Sequence, residues 1–150
     1  MLKGNPGIEG MVEYLDDLSS NFNALGRGVS SIEYLVELGK KLKSLPEEFR
    51  IDKNRVPGCV SNVYIYGVLE DNKMHYQGSS DSAVVAGYVT ILSEAFDGLR
   101  PNEIVEQSRS HIEKFLEETD IKASLTMSRA NALGNIYKVM VKQAAEYIKE

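Results

Sequence analysis

The stretch from Val60 to Gln77, VSNVYIYGVLEDNKMHYQ, departs from the rest of this 150-residue chain in composition and in period. Its first half concentrates β-branched and aromatic side chains at Val60, Val63, Tyr64, Ile65, Tyr66 and Val68, the types that pack on a pleated surface. Asp71-Asn72 follows, two residue types that tolerate the left-handed backbone of a tight turn. Beyond it Met74 and Tyr76 alternate with Lys73, His75 and Gln77, so one face is apolar and the other wet. The reading is a β-hairpin over about 60–79, with a third strand as an optional addition.

On both sides of the hairpin the period becomes helical. Residues 8–23 place Ile8, Met11, Val12, Leu15 and Leu18 on one face. After a Gly-Ser-rich break at 26–31, Ser30 and Glu33 stand in the S-x-x-E relation of a capping box. Ile32, Leu35, Val36, Gly39 and Leu42 share a face beyond it. Lys40, Lys41 and Lys43 suit the negative end of the helix dipole. With Glu47-Glu48 past Pro46, they read as a solvated end whose charges can also steer a partner. On the other side, Ser80 or Asp81 can cap a helix whose stripe, including Val84, Val85, Tyr88, Ile91, Leu92 and Phe96, is wide enough for deep burial. Asp97-Gly98 ends it, and Pro101 opens a short helix through Gln107. Ser110 and Glu113 form a second capping box, and a last helix runs from about Met127 to Ile148. With no internal repeat and no dividing linker, residues 1–150 read as one α+β domain, a small antiparallel sheet packed against several helices.

Composition removes whole classes of function. One cysteine cannot form an internal disulfide or supply the ligand sets of zinc and iron–sulfur sites. Two histidines, His75 and His111, are too few and too far apart to restore a metal site. With 22 acidic against 17 basic residues, a broad phosphate-binding surface, and so a nucleic-acid partner, is not expected. No apolar run approaches the roughly 20 residues of a membrane span, and Met1–Gly7 lacks the apolar core of a secretory signal. A reducing cytoplasm is the expected setting, where a lone thiol stays available.

That thiol, Cys59, lies in Asn54-Arg55-Val56-Pro57-Gly58-Cys59-Val60-Ser61-Asn62. Pro57 fixes its own backbone angle and biases Val56 toward an extended form, and Gly58 admits torsions closed to other residues. Cys59 therefore stands at a shaped turn before a strand, a place where function concentrates. Free cysteine is also commonly a small buried hydrophobe. A structural interaction module in which Cys59 only packs thus stays open at this point. So does a self-sufficient thiol enzyme, although that chemistry needs an activating base or an electropositive site and neither histidine has the spacing for it.

The segment Val56–Tyr64 resembles the cysteine loop of the SufE family, which reads Val-x-Gly-Cys-x-Ser-x-Val-Trp. Three further motifs are similar to that family and fall in the same order. Tyr34–Leu42 with Leu45-Pro46 resembles its first helix and exit, Gly78–Ala83 its Gly-Asp-Ser-Asp-Ala turn, and Leu125–Leu133 its Leu-Thr-Pro-Ser-Arg-x-x-Gly-Leu segment. Tyr64 stands for the usual tryptophan, Ser79 for an acidic residue, Met127 for proline and Ala132 for glycine. The resemblance covers about residues 30–145.

What it implies is an α+β fold shared with IscU-like scaffold proteins and a sulfur acceptor of the SufE or CsdE type. Such a protein stimulates a cysteine desulfurase, here of SufS or CsdA type, and passes sulfur to a downstream acceptor or iron–sulfur scaffold. Pyridoxal phosphate belongs to the desulfurase, so the chain needs no cofactor of its own beyond a transient persulfide on Cys59. Gly58 and Ser61, which match the motif, are implied to be supporting residues of the site. Arg129 is implied to set a positive charge beside the thiolate, and Asp81 is first a helix cap and second a partner contact. A single thiol suits this chemistry, because a second would discharge the persulfide as a disulfide. Cys59 is expected to be shielded in the isolated protein and to swing out on docking, with Pro57 limiting the swing.

Overall fold

Asp71 and Asn72 carry positive φ angles of 54° and 65°, the two-residue turn whose twist matches that of its flanking strands. The computed structural model describes residues 7–25, 29–59, 62–119, 121 and 127–148, with the backbone alone for 29, 30 and 127–130. In it this turn joins β1 (Val63–Glu70) to β2 (Lys73–Ser80) in antiparallel register, Glu70 opposite Lys73 and Val63 opposite Ser80. Val63, Ile65, Met74 and Tyr76 face the core, while Lys73 and Gln77 are exposed, as the alternation requires.

No third strand joins the sheet among the described residues. Arg55 makes one bridge to Tyr64, and the Val56 N–H donates to the Val63 carbonyl at 2.8 Å. The pairing stops there because Pro57 has no N–H to continue it and Gly58 turns the chain away.

Among the described residues, six helices accompany the hairpin: α1 (Ile8–Leu25), α2 (Val29–Gly39), α3 (Ala83–Phe96), α4 (Pro101–Gln107), α5 (Arg109–Thr119) and α6 (Met127–Ala145). Two single 3-10 turns, Glu47–Phe49 and Asp52–Asn54, lead into the cysteine segment. The wide apolar stripe of α3 makes it the central helix, packed between α2 and β2 with α1 and α6 alongside. Tyr88, Val89, Ile91, Ala95 and Phe96 are all fully buried. Gly87 lies against the Leu35 carbonyl, where a Cβ would collide, so glycine lets α2 approach α3 closely. Two hydrogen bonds tie α6 to the sheet: the Tyr76 hydroxyl donates to the Met140 carbonyl at 2.6 Å, and Gln143 Nε2 donates to the Ile65 carbonyl at 2.8 Å.

Several local expectations change. The cap of α3 is Ser82, whose Oγ accepts from the Val85 N–H at 3.3 Å, and not Ser80 or Asp81. Ser80 still pairs with Val63, so the strand runs one residue further and the helix cap falls one or two residues later than expected. The Ser110–Glu113 capping box does not form, and the Ser30–Glu33 box falls on a side chain outside the described residues. Helix α2 begins at Val29 and so already contains Ser30, whose side chain is outside the described residues. Helix α5 begins at Arg109, leaving Ser110 inside it and exposed; Glu113 instead accepts from Arg109 Nε at 3.1 Å. Ser108 occupies the junction, fully buried, donating to the Ile104 carbonyl at 2.6 Å and 2.8 Å from the Tyr137 hydroxyl. Helix α2 ends at Gly39, before the lysines; Lys40 pairs with Glu37 at 2.9 Å and Lys41 lies 3.6 Å from Glu94.

Candidate functional site

The cysteine segment is a loop closed at its neck. Val56, buried and bonded to Val63, and Arg55, bridged to Tyr64, bring its two ends together at the base of β1. Upstream, the chain is fixed by Phe49, whose ring stacks on Tyr66 with centroids 4.1 Å apart. Buried Asn54 adds to this, donating from Nδ2 to the Phe49 carbonyl at 2.7 Å.

A polar clasp reinforces the neck. Arg55 Nη2 donates to Asn62 Oδ1 at 2.8 Å, and Asn62 donates to both carboxylate oxygens of Asp81, from its backbone N–H at 3.1 Å and from Nδ2 at 3.2 Å. The Asp81 N–H returns a bond to the Asn62 carbonyl at 3.3 Å. Asp81 is therefore a tether for the cysteine loop: it sits between the end of β2 and the start of α3, and it holds the loop's exit to both.

Gly58 has φ +80°, the left-handed turn that glycine adopts without strain. A Cβ built there would stand 3.0 Å from Asn135 Nδ2, so the turn lays the loop directly on α6. Cys59 follows, half-buried and packed at the edge of the apolar core. Burial pushes its thiol above the ordinary cysteine value, while a hydrogen bond from Asn135 and the charge of Arg55 pull the other way. The burial of the closed loop thus favours the thiol over the thiolate, and the thiolate is the reactive species. The expected shielding is present in part.

The structure sets Gly58 beside Cys59 on the turn and Asp81 at the loop's neck, bonded to Asn62. Ser61 lies outside the described residues. Arg129 falls in the first turn of α6, with only its backbone described. His75 lies opposite Val68, its Nδ1 2.7 Å from Asp97 Oδ1. His111 lines a small hollow with Val12 and Lys114. Neither histidine is placed as a base for the thiol. Among the described residues, no group of three or more His, Cys, Asp or Glu is placed to hold a metal ion. No helix among them is long and apolar enough to cross a membrane.

Three residues that sequence reasoning did not single out shape the site: Arg55, Asn62 and Asn135. Arg55 and Asn62 flank the cysteine within the quoted segment, and their polar types at a loop neck were a usable signal. Asn135 carried none, because it reaches the loop from the last helix. It also lines, with Pro57 and Arg55, a cleft of about 630 Å³ between the Asp52–Pro57 segment and α6.

Known proteins align with this chain along most of its length. Residues 16–144 match the SufE family, described as an Fe-S metabolism associated domain. A SufE-like protein of Synechocystis is 46% identical over 115 residues, covering 77% of this chain and 70% of that protein. The cysteine desulfuration protein SufE of Wigglesworthia glossinidia brevipalpis is 30% identical over 125 residues, 83% of this chain and 85% of its own. The sulfur acceptor protein CsdE of Escherichia coli is 29% identical over 127 residues, 84% of each. A hypothetical protein of Thermus thermophilus, solved in solution, shares the fold with a TM-score of 0.67 at 17% identity, over 89% of this chain and 94% of that one.

Proposed function

The chain belongs to the SufE family, and on that premise we propose that it accepts sulfur from a cysteine desulfurase onto Cys59, stimulates that enzyme and passes the sulfur on for iron–sulfur cluster assembly. The observation that carries the residue assignment is the loop itself: the chain's single cysteine, half-buried on a left-handed glycine turn, in a segment clasped at its neck.

The transfer is a thiol–persulfide exchange. The Cys59 thiolate attacks the outer sulfur of a persulfide on the desulfurase, a bond forms between Cys59 Sγ and that sulfur, and the sulfur–sulfur bond in the partner breaks. The partner's cysteine leaves as a thiolate and takes up a proton, so no oxidant, reductant or cofactor of this chain is consumed. Because burial in the resting loop disfavours the thiolate, docking raises reactivity by exposing the sulfur. Arg55, anchored to Asn62 at the neck, keeps its positive charge beside the emerging thiolate. The clasp through Asp81 confines the movement to the loop tip.

The partner is a pyridoxal-phosphate desulfurase of SufS or CsdA type, and the sulfur goes to a downstream acceptor or scaffold in a reducing cytoplasm. A lone thiol suits carriage there, because no second cysteine stands in the chain to resolve the persulfide. A self-sufficient thiol enzyme is disfavoured by the site: among the described residues the polar groups acting on the sulfur are an amide and a guanidinium, and neither is a base at neutral pH. Incubation with a cysteine desulfurase and free cysteine, followed by intact-mass measurement, tests the reading. Cys59 should gain one sulfur atom and stimulate the desulfurase, and Cys59→Ser should do neither while keeping its fold. Stimulation that survives in the serine variant would refute it.

A further inference from the structure

The cleft between the Asp52–Pro57 segment and α6 carries, beside Arg55, lysines that the transfer chemistry leaves unused. Its walls present Lys53, Arg55, Lys138 and Lys142 against Asp52 and Glu146, a basic excess in a chain with more acidic than basic residues overall. Lys138 and Lys142 stand one turn apart on α6, both exposed, and like charges at that spacing disfavour a helix. On α5 the cations are paired, Arg109 with Glu113 and Lys114 with Glu118, and just past α2 Lys40 pairs with Glu37. Among the described residues no carboxylate pairs with Lys53, Lys138 or Lys142. Lys43, Arg50, Lys73 and Arg100 also lack a carboxylate partner among the described residues, but they are scattered, whereas the cleft brings Lys53, Lys138 and Lys142 into one place, its lining.

That place adjoins the thiol. Pro57 and Asn135 belong to the cleft's lining, and the same two residues border the Gly58 turn that presents Cys59. On the floor, Gln143 donates to the Ile65 carbonyl and leaves its Oε1 buried without a hydrogen-bond donor. The rim adds Ile51, 48% exposed, one residue before the first cleft residue. Exposed cations with a solvent-facing apolar residue beside them match the mixed rim of a protein–protein contact.

We propose that this cleft docks an acidic segment of the desulfurase, whose carboxylates meet Lys138 and Lys142 on one wall and Lys53 on the other. The inference rests on the proposed function and adds the face by which the partner arrives. A peptide segment fits better than a small anion because the cations are spread over two walls instead of converging on one point. Several carboxylates along a chain are needed to reach them. Seated there, the segment brings the persulfide-bearing part of the enzyme to the loop from the α6 side, where Asn135 covers the turn. Opposite charges of this kind act mainly on the rate of encounter and are screened by salt.

The test uses the full chain. Association with a cysteine desulfurase is followed at low and at high salt for the wild type, for Lys138→Glu/Lys142→Glu, and for Lys53→Glu, which lies outside α6. Cys59 alkylation and thermal melting serve as controls for the fold and the loop. The double variant should associate about tenfold more slowly at low salt, with the gap closing as salt rises, and Lys53→Glu should show a smaller loss of the same kind. Wild-type association rates in both variants would overturn the proposal. So would a loss that does not respond to salt, or a failure of the wild type to bind the desulfurase. If tripolyphosphate at micromolar concentration binds the wild type while the variants still bind the enzyme normally, the cleft is a small-anion site and the docking proposal is wrong. If the wild type binds the desulfurase but gains no sulfur, the functional reading fails while the binding data still decide the cleft.

Discussion

Replacing Gly58 by alanine asks whether the turn itself keeps Cys59 closed. The residue sits at φ +80°, where a side chain on an L-residue costs about 1–2 kcal/mol. The added Cβ would stand 3.0 Å from Asn135 Nδ2, but that amide ends a side chain that can give by a few tenths of an ångström, so the backbone strain dominates. The strain falls on the closed loop, because the neck contacts of Val56 with Val63 and of Asn62 with Asp81 do not involve the turn. A change of about 1–2 kcal/mol multiplies the opened population roughly 5–30-fold. Opening also removes the burial that holds the thiol above its ordinary value, so the thiolate fraction rises as well. Iodoacetamide alkylation of Cys59 at pH 7 should therefore accelerate by at least about 5–30-fold. The melting temperature should fall by no more than roughly 2–8 °C for a chain of this size. An unchanged alkylation rate with a full loss of melting temperature would mean that the strain is borne by the whole fold. The closed-loop argument would then be refuted.

Two further outcomes follow from the same geometry. Asp81→Ala deprives Asn62 of both carboxylate bonds at an exposed neck, a loss of about 0.5–1.5 kcal/mol per bond at most. Hydrogen exchange at the Asn62 amide should quicken and Cys59 alkylation should rise; protection equal to wild type would show that the clasp does not hold the loop. Because burial raises the Cys59 thiol above its ordinary value of 9.0, the unfolded chain loses that proton first as pH rises. Stability from this group is complete below pH 9 and is lost above it. Urea midpoints of the wild type should fall more steeply than those of Cys59→Ser above pH 9, and parallel profiles would contradict this. Tyr14 and Tyr76, also pushed up by burial, contribute equally to both proteins.

The hairpin and the central helix were legible because their signals are local. Period-2 alternation through Met74 and Tyr76, an Asp71-Asn72 turn able to take positive φ, and the broad stripe of α3 each depend on neighbours within one element. Capping was misread where tertiary packing intervened. Ser108 is buried against Tyr137 of α6 and shifts the start of α5 to Arg109, which no local pattern reveals. The Ser80–Asp81 cap failed because strand pairing with Val63 carried β2 further than the turn motif implied.

By itself, the sequence determined that the chain is α+β, which segment forms the hairpin, and that any thiol chemistry must use Cys59 on a Pro57-Gly58 turn. Tertiary structure alone decided how that thiol is held: by Asn135 from the last helix, by the Arg55–Asn62–Asp81 clasp, and by burial that disfavours its thiolate. It also decided that Lys53, Arg55, Lys138 and Lys142 share one cleft beside it. The physical reason is that periodicity reports which face of an element is buried, through neighbours a few residues apart. The partner across that face is chosen only when distant segments pack, and the thiol's pKa depends on that partner and on the water it displaces.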